Sequence, residues 1–217
     1  LARFAFALPV ALALAAAAPA QNCSQTSVGL VPLNDLGTGK YLGLYEGGLY
    51  PFGLNVPPPA HADAGVVRAL AVQPLSPLGQ PAPDGKAVLL SIGMSNTTQE
   101  FCSQSGNPPC DPWTFTGQAL AHPGVNHDWL VLANGAKGGQ TASTWDSPLD
   151  LNYDRVRDQV LAPMGLTEAQ VQAVWVKVAN GQPTVSLPAP NADAFALLAD
   201  MGEIARAVRI RYPNIRV

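Results

Sequence analysis

The sequence has few charged residues and no basic cluster. Charged residues make up 12% of the 217 positions, and the formal net charge is −3 with only three histidines. Nucleic acids and anionic membrane surfaces bind dense arrays of Lys and Arg, so neither is an expected partner. The few histidines and cysteines show no spacing typical of zinc ligands. We therefore expect no metal and no cofactor.

Cysteine is also scarce, with three in the chain. Cys102 and Cys110 flank a short polar loop, and we expect them to form a disulfide in an oxidising compartment. This pairing leaves the third cysteine, Cys23, without an assigned partner. It is either a free thiol in the N-terminal segment or the partner of a cysteine outside this sequence.

Long hydrophobic runs are absent except at the N-terminus. Arg3, the apolar run over residues 4–18 and the small residues Ala18-Pro19-Ala20 predict a signal peptide over residues 1–20. The run is too short for a comfortable membrane span, and the alternative is a buried N-terminal helix. We expect a secreted or periplasmic protein that leaves the membrane after cleavage.

Glycine and proline are abundant, with 20 and 21 residues. Residues 21–85 are predicted to form a loop-rich lead-in, with short strands around 41–45 and one helix over 60–73. Residues 86–217 alternate between apolar runs and helical patterns, which is typical of a single α/β domain. Strands are predicted at 87–92, 129–133 and 171–178, and helices at 112–122, 149–161, 167–171 and 192–211.

The short apolar strands favour a mainly parallel sheet that helices cover on both faces. Asp111 is the predicted cap of the first helix in this region, and Thr167 with Gln170 resembles a capping box at another. Residues 215–217 would open a fourth strand, so we expect the last strand and its helix to be missing from this sequence.

Ser95 is the first candidate functional residue. It follows an apolar strand and Gly93, which permits a sharp turn, so we expect Ser95 in a loop at the carboxyl end of that strand. Open α/β sheets bind ligands at this edge. The loops after the next two strands carry Gly138-Gly139 and Asn180-Gly181, and in a parallel sheet all three loops converge. A hydroxyl, glycine N–H groups and a carboxamide suit ester hydrolysis, because a serine attacks the carbonyl and fixed donors stabilise the oxyanion.

These three blocks resemble those of the SGNH (GDSL-type) hydrolases, in the Gly-x-Ser-Asn variety of acetylesterase-like members. The resemblance covers residues 86–217 and implies a three-layer α/β/α, flavodoxin-like fold. It implies Ser95 as nucleophile. The implied oxyanion hole consists of the Ser95 backbone, Gly138 or Gly139, and the side chain of Asn180. The implied substrate is a small-molecule or glycan ester with a short acyl group. Met94 departs from the commonest first block, which has Asp, and Val178 stands where the third block usually has Gly.

The sequence contains no general base in the family's pattern. SGNH hydrolases place an Asp and a His three residues apart near the C-terminus, and this chain has no Asp-x-x-His. The resemblance therefore implies a base from sequence beyond Val217. His61, His122 and His127 are expected in surface or capping roles.

Other interpretations of the same residues remain open. Ser95, the glycine pair and Asn180-Gly181 are also ordinary turn residues, and Trp145 suits either a pocket wall or the core. The chain could thus be a non-catalytic carbohydrate- or surface-binding module on the same fold, or an exported structural protein. It could also be an enzyme complete within 217 residues that uses His122 or His127. The oligomeric state is left open.

Overall fold

A computed structural model describes residues 31–217. The predicted signal peptide and Cys23 lie outside the described residues. The described chain is a mixed α/β structure with a two-stranded hairpin, a parallel sheet and five α-helices. The strands are β1 (Lys40–Tyr41), β2 (Tyr45–Glu46), β3 (Ala87–Gly93), β4 (Leu130–Asn134) and β5 (Val171–Lys177). The helices are α1 (Pro59–Leu70), α2 (Ser95–Phe101), α3 (Phe115–Ala121), α4 (Leu151–Arg155) and α5 (Asp193–Arg211).

The main sheet has the strand order β4-β3-β5, and both pairings are parallel. The chain end extends this sheet, because Val217 N–H donates to Gln172 O at 3.1 Å and Val174 N–H donates to Val217 O at 2.9 Å. This is the hydrogen-bond pattern of a parallel neighbour. The prediction of a parallel sheet is confirmed. Residues 215–217, predicted to open a fourth strand, form these hydrogen bonds beside β5 but no strand of their own.

The core lies against one face of the sheet. Leu90 and Ile92 of β3 are completely buried and share a cluster with Tyr153 of α4 and Ile204 of α5. Each such side chain contributes about 1.5–3 kcal/mol when fully buried. Successive side chains of a strand point to opposite faces of the sheet, and Trp175 of β5 lies on the face opposite this core. Its ring contacts the phenyl rings of α2 and α3 at centroid distances of 5.7 and 6.2 Å.

Several predicted boundaries differ from the structure. The helix predicted over 112–122 begins only at Phe115, because Thr114 and not Asp111 caps it: the Thr114 hydroxyl accepts from Gly117 N–H at 3.2 Å. The segment 167–171 forms only a 3₁₀ turn, although Gln170 Oε1 accepts from Thr167 N–H as the capping pattern predicts. The remaining predicted helices and strands lie within a few residues of their expected positions.

The lead-in contributes little to the core. α1 contains no buried residue, and Leu70 at its end is 81% exposed. Leu75 is the buried hydrophobic side chain of the described lead-in, and it joins the segment 73–86 to the start of the sheet. Within the described chain, the buried hydrophobic side chains are therefore concentrated in residues 86–217.

Candidate functional site at the carboxyl end of the sheet

The end of β3 leads directly into α2, and this places Ser95. A side chain at Gly93 would meet Lys177 O at 2.2 Å, so only glycine permits this close approach. Thr97 is fully buried, and its hydroxyl donates to Lys177 O at 2.6 Å. The first turn of α2 is thereby held against the end of β5.

Ser95 does not lie in a loop, so that prediction is wrong. It is the first residue of α2, and the turn is completed by Thr98, whose N–H and hydroxyl both donate to Met94 O at 3.0 Å. Ser and Thr favour helix starts because their hydroxyls satisfy local backbone groups. Ser95 itself is exposed to solvent. Its hydroxyl forms no hydrogen bond with any residue from 31 to 217.

The loop after β4 lies directly beside Ser95. Lys137 N–H donates to Gly93 O at 3.1 Å, which ties the two loops together. A methyl group placed on Gly138 would lie 3.7 Å from the Cβ of Ser95. Gly139 has open space around it but a φ of +78°, which an L side chain adopts only with strain. The two glycines therefore differ: a side chain on Gly138 would be next to Ser95, whereas Gly139 forms the turn.

A buried hydrogen-bond network holds this loop in place, and sequence reasoning missed it. Ser91 donates to Asn134 Oδ1 at 2.7 Å, and its oxygen accepts from Ala136 N–H at 3.3 Å. The Asn134 amide donates to Thr98 O and Gly106 O, both at 3.0 Å. A polar residue inside the apolar run 87–92 was the available signal for this network.

The predicted disulfide is present and supports the same network. Cys102 and Cys110 are bonded, and they close the loop that contains Gly106. Because Gly106 O accepts from Asn134, the loop also supports the end of β4. Trp145 is completely buried, so it is a core residue and not a pocket wall.

Asn180 joins the site through the far end of the β4 loop. Ala142 N–H donates to Ala179 O at 3.1 Å, and a methyl group on Gly181 would lie 3.4 Å from the Thr141 side chain. Asn180 Oδ1 is buried and has no hydrogen-bond partner among the described residues. The structure thus makes Gly138 a neighbour of Ser95 and connects Asn180 to the other end of the same loop.

The three histidines lie elsewhere. His61 is on α1, and its ring is 5.9 Å from that of Tyr50. His122 accepts from Gly124 N–H at 3.1 Å, and the ring of His127 lies 3.3 Å from His122 O. Both precede β4, at the end of the sheet opposite Ser95. None of them forms a hydrogen bond with Ser95.

Two kinds of feature were not found in the described region. Across residues 31–217, no group of three or more His, Cys, Asp or Glu is arranged to hold a metal ion. No helix in that range is both long enough and apolar enough to span a bilayer.

No protein-family model, curated protein or solved structure matches this chain.

Proposed function

We propose that this chain is an exported serine esterase of the SGNH type, with Ser95 as nucleophile. The observation that carries the proposal is that Gly138 is a neighbour of Ser95 at the carboxyl end of a parallel sheet, with a methyl group on Gly138 lying 3.7 Å from the Cβ of Ser95. An exposed hydroxyl without a structural partner is free to react, and the glycine beside it leaves room for a substrate. The strand order and the helices on both faces are compatible with the three-layer α/β/α fold of that family.

In the proposed reaction, Ser95 Oγ attacks the ester carbonyl and forms a tetrahedral intermediate. The N–H groups of Ser95 and Gly138 and the amide of Asn180 donate to the oxyanion, where charge develops. Collapse of the intermediate expels the alcohol and leaves an acyl group on Ser95. Water then attacks this acyl-enzyme and releases the acid. A short acyl group, such as an acetyl ester on a carbohydrate, is the favoured substrate by family analogy.

The mechanism also requires a base that takes the proton of Ser95, because serine is a weak nucleophile at its ordinary pKa. The positions of His61, His122 and His127 offer no base. The proposal therefore assigns the base to residues outside 31–217. Since residues 1–30 contain no histidine, a histidine base would come from sequence beyond Val217.

The experiment compares p-nitrophenyl acetate hydrolysis by the protein read from its gene to the stop codon with that of its Ser95→Ala variant. We expect kcat/KM to fall by at least about 10³-fold, as for other catalytic serines. Ser186→Ala is the matched control, because Ser186 is also exposed but lies in the connector between β5 and α5. Equal rates for the native protein and Ser95→Ala would refute the proposal.

The absence of a histidine beside Ser95 within residues 31–217 favours one second candidate, a non-catalytic carbohydrate- or surface-binding module. It predicts that the full gene product hydrolyses no ester and that Ser95→Ala changes ligand binding alone. The same pair of proteins distinguishes the two functions.

A further inference from the structure

A groove of about 650 Å³ runs along the outer edge of β4, and most of the side chains that line it are apolar. In the described sheet β4 is the outermost strand on one side, because the strand order is β4-β3-β5. Leu130, Leu132 and Asn134 of β4 lie along the floor of this groove, which we call the edge groove. The edge groove thus occupies the place that a further strand would take in the sheet.

The edge groove lies between the two layers that cover the sheet. On the face of Trp175, its wall consists of Leu120 of α3 and the prolines of the disulfide loop. On the core face, its wall includes Val160 and Met164, from the turns that follow α4. Both walls extend past the last strand, so an extended chain placed beside β4 would be covered on both faces.

The floor of the edge groove offers main-chain groups for hydrogen bonding. Ala87 N–H donates to Trp129 O at 2.9 Å, and the register pairs Ala87 with Leu130. Main-chain groups alternate in direction along a strand, so those of Val131 bond to β3 and those of Leu132 point into the edge groove. Neither the N–H nor the carbonyl of Leu132 has a hydrogen-bond partner among residues 31–217. A donor and an acceptor are therefore available at the middle of the floor.

This edge lacks the features that ordinarily prevent the addition of a strand. Proteins protect edge strands with charged side chains, proline, a bulge or a covering segment. β4 has the sequence Leu-Val-Leu-Ala-Asn, without a charge or a proline, and its register with β3 is regular. No charged side chain of the described region lines the edge groove. Its occupant should therefore be uncharged, because burial of an unpaired charge is costly.

We propose that the edge groove binds an extended, uncharged peptide segment of a partner protein as an added strand. Leu132 would exchange main-chain hydrogen bonds with the peptide, and apolar side chains of the peptide would pack against the two walls. β4 has five residues, so a peptide of about five residues, about 16 Å long, matches its length. This inference goes beyond the proposed function and does not depend on Ser95.

Titration of the full gene product with acetyl-Thr-Val-Thr-Val-Thr-amide, followed by NMR, tests the proposal. The control peptide has the same side chains but carries N-methyl groups on its three central residues. We expect the unmethylated peptide to bind at least about tenfold more tightly, because methylation removes main-chain donors and places methyl groups against β4. Hydrogen exchange of the Leu132 amide should slow when the peptide binds, whereas that of Val131, which bonds to β3, should not change.

Two variants place a charge on the walls of the edge groove, Leu120→Asp on one side and Met164→Asp on the other. The two native side chains are 60% and 48% exposed, so both variants should remain folded, which circular dichroism and the urea midpoint check. Each variant should bind the unmethylated peptide at least about tenfold more weakly. Leu78→Asp is the matched control, because Leu78 is 85% exposed but does not line the edge groove. Its affinity should equal that of the native protein.

Three results would overturn the assignment. Absence of binding, or equal binding of the two peptides, would exclude an added strand. Native affinity in both folded wall variants would place the peptide elsewhere on the protein. A dimer in sedimentation analysis that Leu120→Asp dissociates would assign the edge groove to a second copy of this chain instead of a partner's peptide.

Discussion

The two ends of the parallel sheet satisfy their polar groups in different ways. At the amino end, the buried amide of Gln172 accepts from Gln73 N–H and donates to Gln73 O, at 3.2 and 2.6 Å. Gln170 in turn donates to Leu75 O at 2.8 Å. At the carboxyl end, the hydroxyl of Ser95 and the oxygen of Asn180 have no partner among residues 31–217.

This difference distinguishes polar groups that hold segments of the fold together from the groups that we propose to act in the reaction. A buried polar group without a partner costs stability, so a chain keeps one where another requirement outweighs that cost. At the amino end, the side-chain amides of Gln170 and Gln172 join segment 73–86 to the sheet. At the carboxyl end, the exposed hydroxyl of Ser95 on α2 and the side chain of Asn180 after β5 form no such hydrogen bonds among the described residues.

The largest effect on kcat is expected for a substitution of Asn180. Asn180→Ala removes one proposed oxyanion donor, and kcat should fall by about 10²–10³-fold. The urea midpoint should change little, because Asn180 Oδ1 accepts no hydrogen bond from the described residues. A loss of stability with unchanged kcat, measured on the full gene product with p-nitrophenyl acetate, would instead make Asn180 a structural residue.

The opposite result is expected at the amino end. Gln172→Leu removes both hydrogen bonds to Gln73 and should lower the free energy of unfolding by about 2 kcal/mol. The kcat of the folded protein should be unchanged, because this side chain lies at the far end of the sheet from Ser95. Urea denaturation measures the effect, with Gln80→Leu on an exposed residue of the same segment as control. Equal stability of the two variants would contradict the role of Gln172 in closing this end.

Much of this arrangement could be predicted from the sequence, because strand patterns and chain order determine a parallel sheet. The apolar runs located β3, β4 and β5, and the sheet order then brought their following loops to one edge. The loop spacing also predicted the Cys102–Cys110 disulfide. The roles of Gly138 and Gly139 could not be separated, because contact and φ depend on the three-dimensional path of the loop.

Other features of the site depend on tertiary contacts. The helix at Ser95 was missed because the pattern Ser-Asn-Thr-Thr has weak intrinsic helix propensity, and Thr97 stabilises the turn by bonding to β5, a contact distant in sequence.

Alanine substitutions at the two glycines should have smaller effects, on stability at Gly139 and on kcat/KM at Gly138. Gly139→Ala should lower the free energy of unfolding by about 1 kcal/mol, because alanine is strained at a φ of +78°. Gly138→Ala should leave the urea midpoint nearly unchanged, since its methyl group meets Ser95 at an ordinary distance of 3.7 Å. It should still reduce kcat/KM, because that methyl group occupies space beside the nucleophile. Identical behaviour of the two variants would contradict the division of roles.

The smallest effect should appear at Asp193, a carboxylate near the carboxyl end that does have partners. It accepts from the N–H groups of Thr184 and Val185, and these hydrogen bonds lower its pKa. Its contribution to stability is therefore present above the unfolded value of about 3.9 and is lost as pH falls through the lowered native pKa. Asp193→Asn should have a slightly lower urea midpoint than the native protein at pH 7 and an equal one at strongly acidic pH. A difference independent of pH would exclude the carboxylate charge as its cause.

The most direct test of the central claim is to locate the reactive hydroxyl by chemistry. The full gene product is treated with a fluorophosphonate, which reacts covalently with activated serines, and the modified peptide is identified by mass spectrometry. We expect a single label, on Ser95. The rate of labelling should be lower in Asn180→Ala, and no label should form in Ser95→Ala. A label on another serine, or an unlabelled Ser95 in a protein that hydrolyses p-nitrophenyl acetate, would contradict it.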